Sequence, residues 1–274
     1  MDFLAALAVG IIAGTHTATW GMYKDAPHEG FRHYPRSIFT AAVLAPLIYW
    51  GFSYVPLLAF DPMSARGIVL LFGLTYCAER GATEFYKTFV RFEDQSKYTI
   101  PMQFHVFGNV IPAGGKRWAI AIAHVFVVLV SVYLIHLHNV PDEPISIVKF
   151  LLLGSVGGWL SAFGGAFKDA PIEGFHTFKF FRSPALAAFY SWLLSFLTDS
   201  YMIGAVGGLG YTVATIETYK TFFFPNVPRG KFAGKPVLFP EHLETRKKFV
   251  PVYFGIWLFV IVSIAQAIRV QYFL

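Results

Sequence analysis

Cysteine occurs once in 274 residues, at Cys77, which excludes an intramolecular disulfide and leaves the redox compartment open. Charge is scarce too. Asp, Glu, Lys and Arg make up 14% of the chain and apolar residues 55%, whereas a soluble domain carries about 25% charged residues. With a mean hydropathy of +0.54, that deficit excludes an ordinary soluble domain and points to an all-α polytopic membrane protein. Catalytic signatures are missing as well. No Gly-x-Ser-x-Gly nucleophile turn, zincin helix, haem attachment site or paired-Asp metal motif occurs. Gly114-Gly115-Lys116-Arg117 has neither the spacing nor the Ser or Thr of a phosphate-binding loop. His136 and His138 stand near Asp142 and Glu143, but no second histidine cluster supports a metal site, so none is assigned. No motif names a cofactor.

What the chain does contain is a duplication. Lys24-Asp25-Ala26-Pro27-His28-Glu29-Gly30-Phe31 returns as Lys168-Asp169-Ala170-Pro171-Ile172-Glu173-Gly174-Phe175, and Arg36-Ser37 returns as Arg182-Ser183. Further on, Glu84-Phe85-Tyr86-Lys87-Thr88-Phe89 recurs as Glu217-Thr218-Tyr219-Lys220-Thr221-Phe222. Two matches in the same order mark an internal repeat.

Apolar runs set the expected spans. In the first half they run from about Phe3 to Tyr23, Ile38 to Phe60, Ala65 to Phe89 and Trp118 to Leu137. In the second they run from about Ile147 to Phe167, Pro184 to Thr198, Tyr201 to Phe222 and Phe249 to Phe273. Most reach the ~20 residues that cross a hydrocarbon core. Only Asp2 precedes the first run, without a basic segment, so that run reads as a retained helix rather than a cleaved signal. The expectation is about eight transmembrane helices in two four-helix repeats, residues 1–140 and 141–274. Four is even, so both copies enter from the same side, as parallel repeats with a pseudo-twofold axis along the membrane normal.

That topology puts eighteen of the 22 Lys and Arg residues on one face, including Arg32 and Arg229; the exceptions are Arg66, Arg80, Lys149 and Arg269. By the positive-inside rule this face is cytoplasmic, or matrix-side in an organelle, with both termini outside. The net charge of +6 then reports topology, not a nucleic-acid partner. The partners expected are the bilayer and its anionic headgroups, with a homo-oligomer or a larger membrane complex as further possibilities. The basic loop from Pro225 to Lys248 reads as a segment facing those headgroups.

Small residues predict close packing. Gly10, Gly14, Ala18 and Gly21 align with Gly154, Gly158, Ala162 and Gly165, 144 positions on, and such flat faces let backbones approach. The two helices carrying them are expected at the centre, against each other. Cys77 and Gly81 align with Gly210 and Ala214, so Cys77 reads as a small packing residue.

Two sets of residues are candidates for a site. The repeated charges Lys24, Asp25, Glu29, Lys87, Lys168, Asp169, Glu173, Glu217 and Lys220 are either ion pairs, as Glu84 with Lys87 and Glu217 with Lys220 at three-residue spacing, or polar sites at a common mouth. The Lys-Asp-Ala-Pro motif is expected to end its helix before the proline. The second set is asymmetric. Glu79 and Arg80 align with Thr212 and Val213, and His16 with Leu160, so a single polar centre would comprise His16, Glu79, Arg80 and Glu84. Arg80 lies about 10 Å deeper than Lys87 at 1.5 Å per residue and needs a partner, with Glu84 and Glu79 in reach.

Three function classes remain. One is a transporter or channel for a small or anionic solute with a charged cytoplasmic vestibule. Another is a membrane-embedded enzyme acting on a lipid phosphate or isoprenoid. The third is a non-catalytic subunit of a larger membrane complex. Whether the chain is an enzyme is not decided by its motifs.

Overall fold

The computed structural model describes residues 1–30, 35–140, 143–224 and 230–273. The aromatic run from Phe31, the basic Arg32 and Arg229, and Asp142 lie outside them. The described chain is all-helical apart from one tiny hairpin. Its helices are α1 (Asp2–Glu29), α2 (Pro35–Ser53), α3 (Ala65–Phe85), α4 (Gly115–Leu137), α5 (Ile147–Glu173), α6 (Thr177–Leu194), α7 (Tyr201–Phe222), the one-turn α8 (His242–Thr245) and α9 (Val250–Phe273). A π-helical turn, Tyr86–Val90, continues α3. Strands β1 (His105–Val106) and β2 (Asn109–Val110) pair antiparallel, His105 opposite Val110.

Among the described residues, four stretches are long and apolar enough to cross a membrane: α1, α4, α5 and the run His242–Phe273. This is compatible with an integral membrane location. Their outward faces fit it, since Phe163, Leu129 and Leu258 are each more than 60% exposed. Within α4 only Arg117, Ala121 and Ile135 are buried. Three helices begin on a serine cap: Ser64, Ser146 and Ser200 accept the amides of Gly67, Lys149 and Ile203 through their hydroxyls. Each cap satisfies a donor that the first turn leaves without a helical partner.

Packing follows the small residues, with one correction. The small faces of α1 and α5 do not meet each other; each receives the following helix of its own half. A Cβ on Gly14 would lie 2.6 Å from the Ile38 Cα of α2, and one on Gly158 would lie 2.5 Å from the Pro184 Cα of α6. The central crossing is instead α3 on α7, where a Cβ on Gly73 would lie 2.8 Å from the Gly207 carbonyl oxygen. Gly210 completes that contact against Gly73 and the Cys77 amide, in keeping with Cys77 as a packing residue. The Tyr211 hydroxyl donates to the Val69 carbonyl at 2.8 Å and pins the crossing. Only backbone lying on backbone needs two glycines. A helix can receive its hairpin neighbour on Ala and Ser as well.

The ends of α1 and α5 also differ from expectation. Both helices run through the proline of the Lys-Asp-Ala-Pro motif and stop at its glycine. Gly30 has φ +81° and Gly174 φ +83°, backbone that only glycine adopts without strain, and their amides bond Ala26 and Ala170. The glycine of the motif is therefore its helix stop. Pro27 can stay helical because the acceptor it cannot serve, the Tyr23 carbonyl, takes a hydrogen bond from Arg246.

Candidate functional site: a polar centre in the first half

His16 sits on α1 with no exposed surface. Its Nδ1 is 3.1 Å from the Tyr76 hydroxyl of α3, which also accepts from Trp20 Nε1 at 2.9 Å. The phenol oxygen can donate its own proton to Nδ1 or accept an N–H from it; with the phenol as donor, the His16 proton sits on Nε2. Nε2 has no hydrogen-bond partner. The ring stacks on Tyr253 of α9 at 4.1 Å and meets Trp257 and Phe72 edge-on. Thr218 of α7 holds that wall in place, 2.6 Å from the Tyr253 hydroxyl and accepting from Trp257 Nε1 at 3.0 Å. Four helices thus build one aromatic box around an imidazole.

One turn further along α1 the box becomes charged. The Arg80 guanidinium lies 5.1 Å from the centre of the Trp20 ring and pairs with Glu84, with Glu79 3.9 Å away. Glu79 accepts from Thr83 at 2.8 Å through one oxygen, while its other oxygen is buried without a hydrogen bond. Glu84 also holds Lys87 at 3.0 Å. Lys24 also lies 5.8 Å from the Trp20 ring centre, and 3.9 Å from Glu217, which holds Lys220 at 3.4 Å. The structure therefore brings His16, Glu79, Arg80 and Glu84 into one region with Lys24, Lys87, Glu217 and Lys220, drawing on both halves. Lys168 acts electrostatically on Glu84 from the second half. Lys24, Arg80, Lys87 and Lys220 each pair with one or more of the carboxylates Glu79, Glu84 and Glu217.

The remaining motif carboxylates belong elsewhere. Asp25 and Glu29 receive Lys231, at 2.9 and 3.6 Å, from the loop after α7. Asp169 and Glu173 receive Lys179, at 2.6 and 3.0 Å, from the start of α6. In each copy an aspartate and a glutamate four apart share a lysine ammonium, though the two lysines come from unrelated parts of the chain, and Glu29 also pairs with Lys97 at 3.4 Å. Around Glu29 the clamp extends to Tyr98, whose hydroxyl is 2.9 Å from both Glu29 and Glu93. Burial, together with the charges of Glu29 and Glu93, pushes the Tyr98 phenol well up. Burial alone would raise Glu93, but hydrogen bonds from Lys97 and Tyr98 and the Arg91 charge hold it below the usual range. Beside the second copy, burial depresses His105, helped by Lys168 and partly offset by Asp169.

Sequence reasoning missed Trp20, Tyr76, Tyr253 and Trp257. A usable signal existed: Trp20 stands four residues after His16, and Tyr76 stands three and four before Glu79 and Arg80, the spacings that share a helix face. Lys231 and Lys179 had no such signal. Among the described residues, no three His, Cys, Asp or Glu side chains converge to hold a metal. No family model matches the chain, and no curated protein or solved structure matches it.

Proposed function

We propose that the chain is a multi-pass membrane transporter or channel for a small anionic solute, with all eight long helices spanning as two parallel repeats, residues 1–140 and 141–274. The basic loops face the cytoplasm, or the matrix in an organelle, and both termini lie outside. One observation carries the reading. A chain of contacts leads from a cation-rich cluster built by both halves, through Trp20 and Tyr76, to His16 Nδ1, and the same buried ring keeps a second nitrogen, Nε2, without a partner. With the His16 proton on Nε2, the ring offers an N–H donor deep in an apolar bundle close to surplus positive charge, which is suited to a desolvated anion. The bilayer and its anionic headgroups are the surrounding partners. A shallow apolar groove of about 320 Å³ beside Phe85, Trp118 and Ile122 offers room for an acyl chain.

A second reading, a subunit of a larger membrane complex, is favoured by α4, which buries little of its surface within the chain. The experiment separating the two uses purified protein in vesicles loaded with chloride, nitrate or bicarbonate. Efflux above that of protein-free vesicles is expected, falling at least tenfold in His16→Phe and in the double variant Arg80→Met, Glu84→Leu. Because Arg80 is also the cation beside the buried Glu79, a double variant that does not fold is replaced by the triple variant adding Glu79→Gln, which leaves no lone buried carboxylate. Wild-type efflux no faster than empty vesicles, for every anion, rejects transport and leaves the subunit reading. A folded double variant with full efflux removes the charge pair from the path.

A further inference from the structure

His16, Glu79 and Arg80 have no counterparts in the second half, and a strap crosses the end of the helix that carries His16. Residues 231–246 come from the second half yet lie over the last turn of α1. Lys231 enters the Asp25–Glu29 clamp, the amides of Leu238 and Phe239 both donate to the Pro27 carbonyl, and Arg246 reaches Tyr23, next to Lys24. His28 Nδ1 is 2.9 Å from the Pro236 carbonyl and its ring stacks on Phe232 at 4.5 Å. A neighbouring loop joins in, as Thr99 donates its amide to the Lys231 carbonyl at 2.8 Å and Lys235 reaches the Ser96 carbonyl. This corrects the sequence-based expectation of a segment turned wholly toward headgroups: Phe232 is 3% exposed.

Two features set the strap apart from ordinary packing. Its apolar anchor, Phe232 with Tyr98 and Met102, is a cluster separate from the main helical core, so the strap can leave without opening that core. The motif itself does not require it either. In the second half the same Asp–Glu pair is satisfied by Lys179 of the adjacent helix, from within its own half. The second copy is also flanked from across the chain, by the hairpin that carries His105 and Gly108, but its Asp–Glu pair takes no lysine from that hairpin, whereas the first copy's pair is tied to the strap itself.

We propose that residues 231–239 form a releasable latch, held by Lys231 in the Asp25–Glu29 clamp, that closes the charged mouth beside His16 and Arg80 while Arg246 stays bonded to Tyr23. The inference rests on the transport reading for its purpose and on the separate apolar cluster for its ability to open.

Two measurements test it. Hydrogen exchange on wild-type protein needs no transport: the amides of Thr99, Leu238 and Phe239 are expected to exchange at least tenfold faster than those at the α3–α7 crossing. Equal protection overturns the latch. In the vesicle assay, Lys231→Met is expected to raise anion efflux severalfold, while Lys179→Met, which removes the matching lysine of the second copy, leaves it unchanged. Unchanged or reduced efflux in folded Lys231→Met, or an equal rise in Lys179→Met, overturns the latch while leaving transport standing. If Lys231→Met does not fold, Thr99→Cys with Ala233→Cys in a Cys77→Ala background takes its place. Oxidation is then expected to lower efflux and reduction to restore it, and efflux indifferent to oxidation of a cross-linked strap overturns the latch. Absence of efflux from wild type as well is a different pattern, and it removes the transport reading together with the latch's purpose.

Discussion

Arg246 donates a 2.9 Å hydrogen bond to the carbonyl oxygen of Tyr23, the acceptor that residue 27 would serve if it were not proline. The guanidinium also lies 4.3 Å from the centre of the Tyr23 ring. A proline inside a helix removes one bond of the ladder and leaves a carbonyl that must find another donor or water. Here the donor comes from the short 3-10 turn Arg246–Phe249 that leads into α9. The end of α1 and the start of the last helix are thereby tied by a defect in the first.

That tie predicts a coupling. Arg246→Met should cost about 1.5–3 kcal/mol, the range for a hydrogen bond from a charged donor. In a Pro27→Ala background the helix supplies its own amide to Tyr23, so the same change should cost about 1 kcal/mol less. Thermal unfolding of the four proteins in detergent gives the coupling energy. Strict additivity would show that the Tyr23 carbonyl is not what Arg246 serves.

The glycines should sort by what they touch. Gly73→Ala places a methyl group 2.8 Å from the Gly207 carbonyl, and overpacking of this kind costs about 1–3 kcal/mol. Gly164 in α5 has open space where its Cβ would be, so Gly164→Ala should be neutral or stabilising by up to about 1 kcal/mol through helix propensity. Melting temperatures of the two variants decide the matter. Equal effects would contradict the close α3–α7 crossing.

Acid should loosen the capping loops before the bundle. His105 titrates below its ordinary 6.5 when folded, so between that value and its lower folded value the unfolded chain binds more protons. Its contribution is complete above about 6.5 and is lost as the pH falls. Glu93 is likewise depressed below 4.5, and its contribution is present above 4.5 and disappears on further acidification. Limited proteolysis of residues 91–110 should therefore accelerate first below about pH 6.5 and again below about pH 4.5. His105→Phe should remove the first step alone. A cleavage rate flat from pH 8 to 5 would contradict the burial of His105.

Much of this protein is written in local pattern. Apolar run length set the long helices, and the Tyr201–Phe222 boundaries agree in sequence and structure. Arg80 with Glu84, Glu84 with Lys87 and Glu217 with Lys220 follow from helix geometry, because residues three and four apart share a face whatever surrounds them. The stop at Gly30 and Gly174 was legible in principle, since a glycine closing both copies of a motif marks a left-handed turn, but the proline three residues earlier drew the helix end toward itself. What pairs across the chain was not legible. Nothing in the spacing of Asp25 and Glu29 says that their lysine is Lys231 while the matching pair takes Lys179, and nothing in His16 points to Tyr76, sixty residues on. A flat face of small residues says only that a backbone comes close. Whether α2 or α5 fills it depends on the whole bundle, because the free energy of packing depends on the shape of every neighbour at once, whereas helix geometry depends on the chain alone.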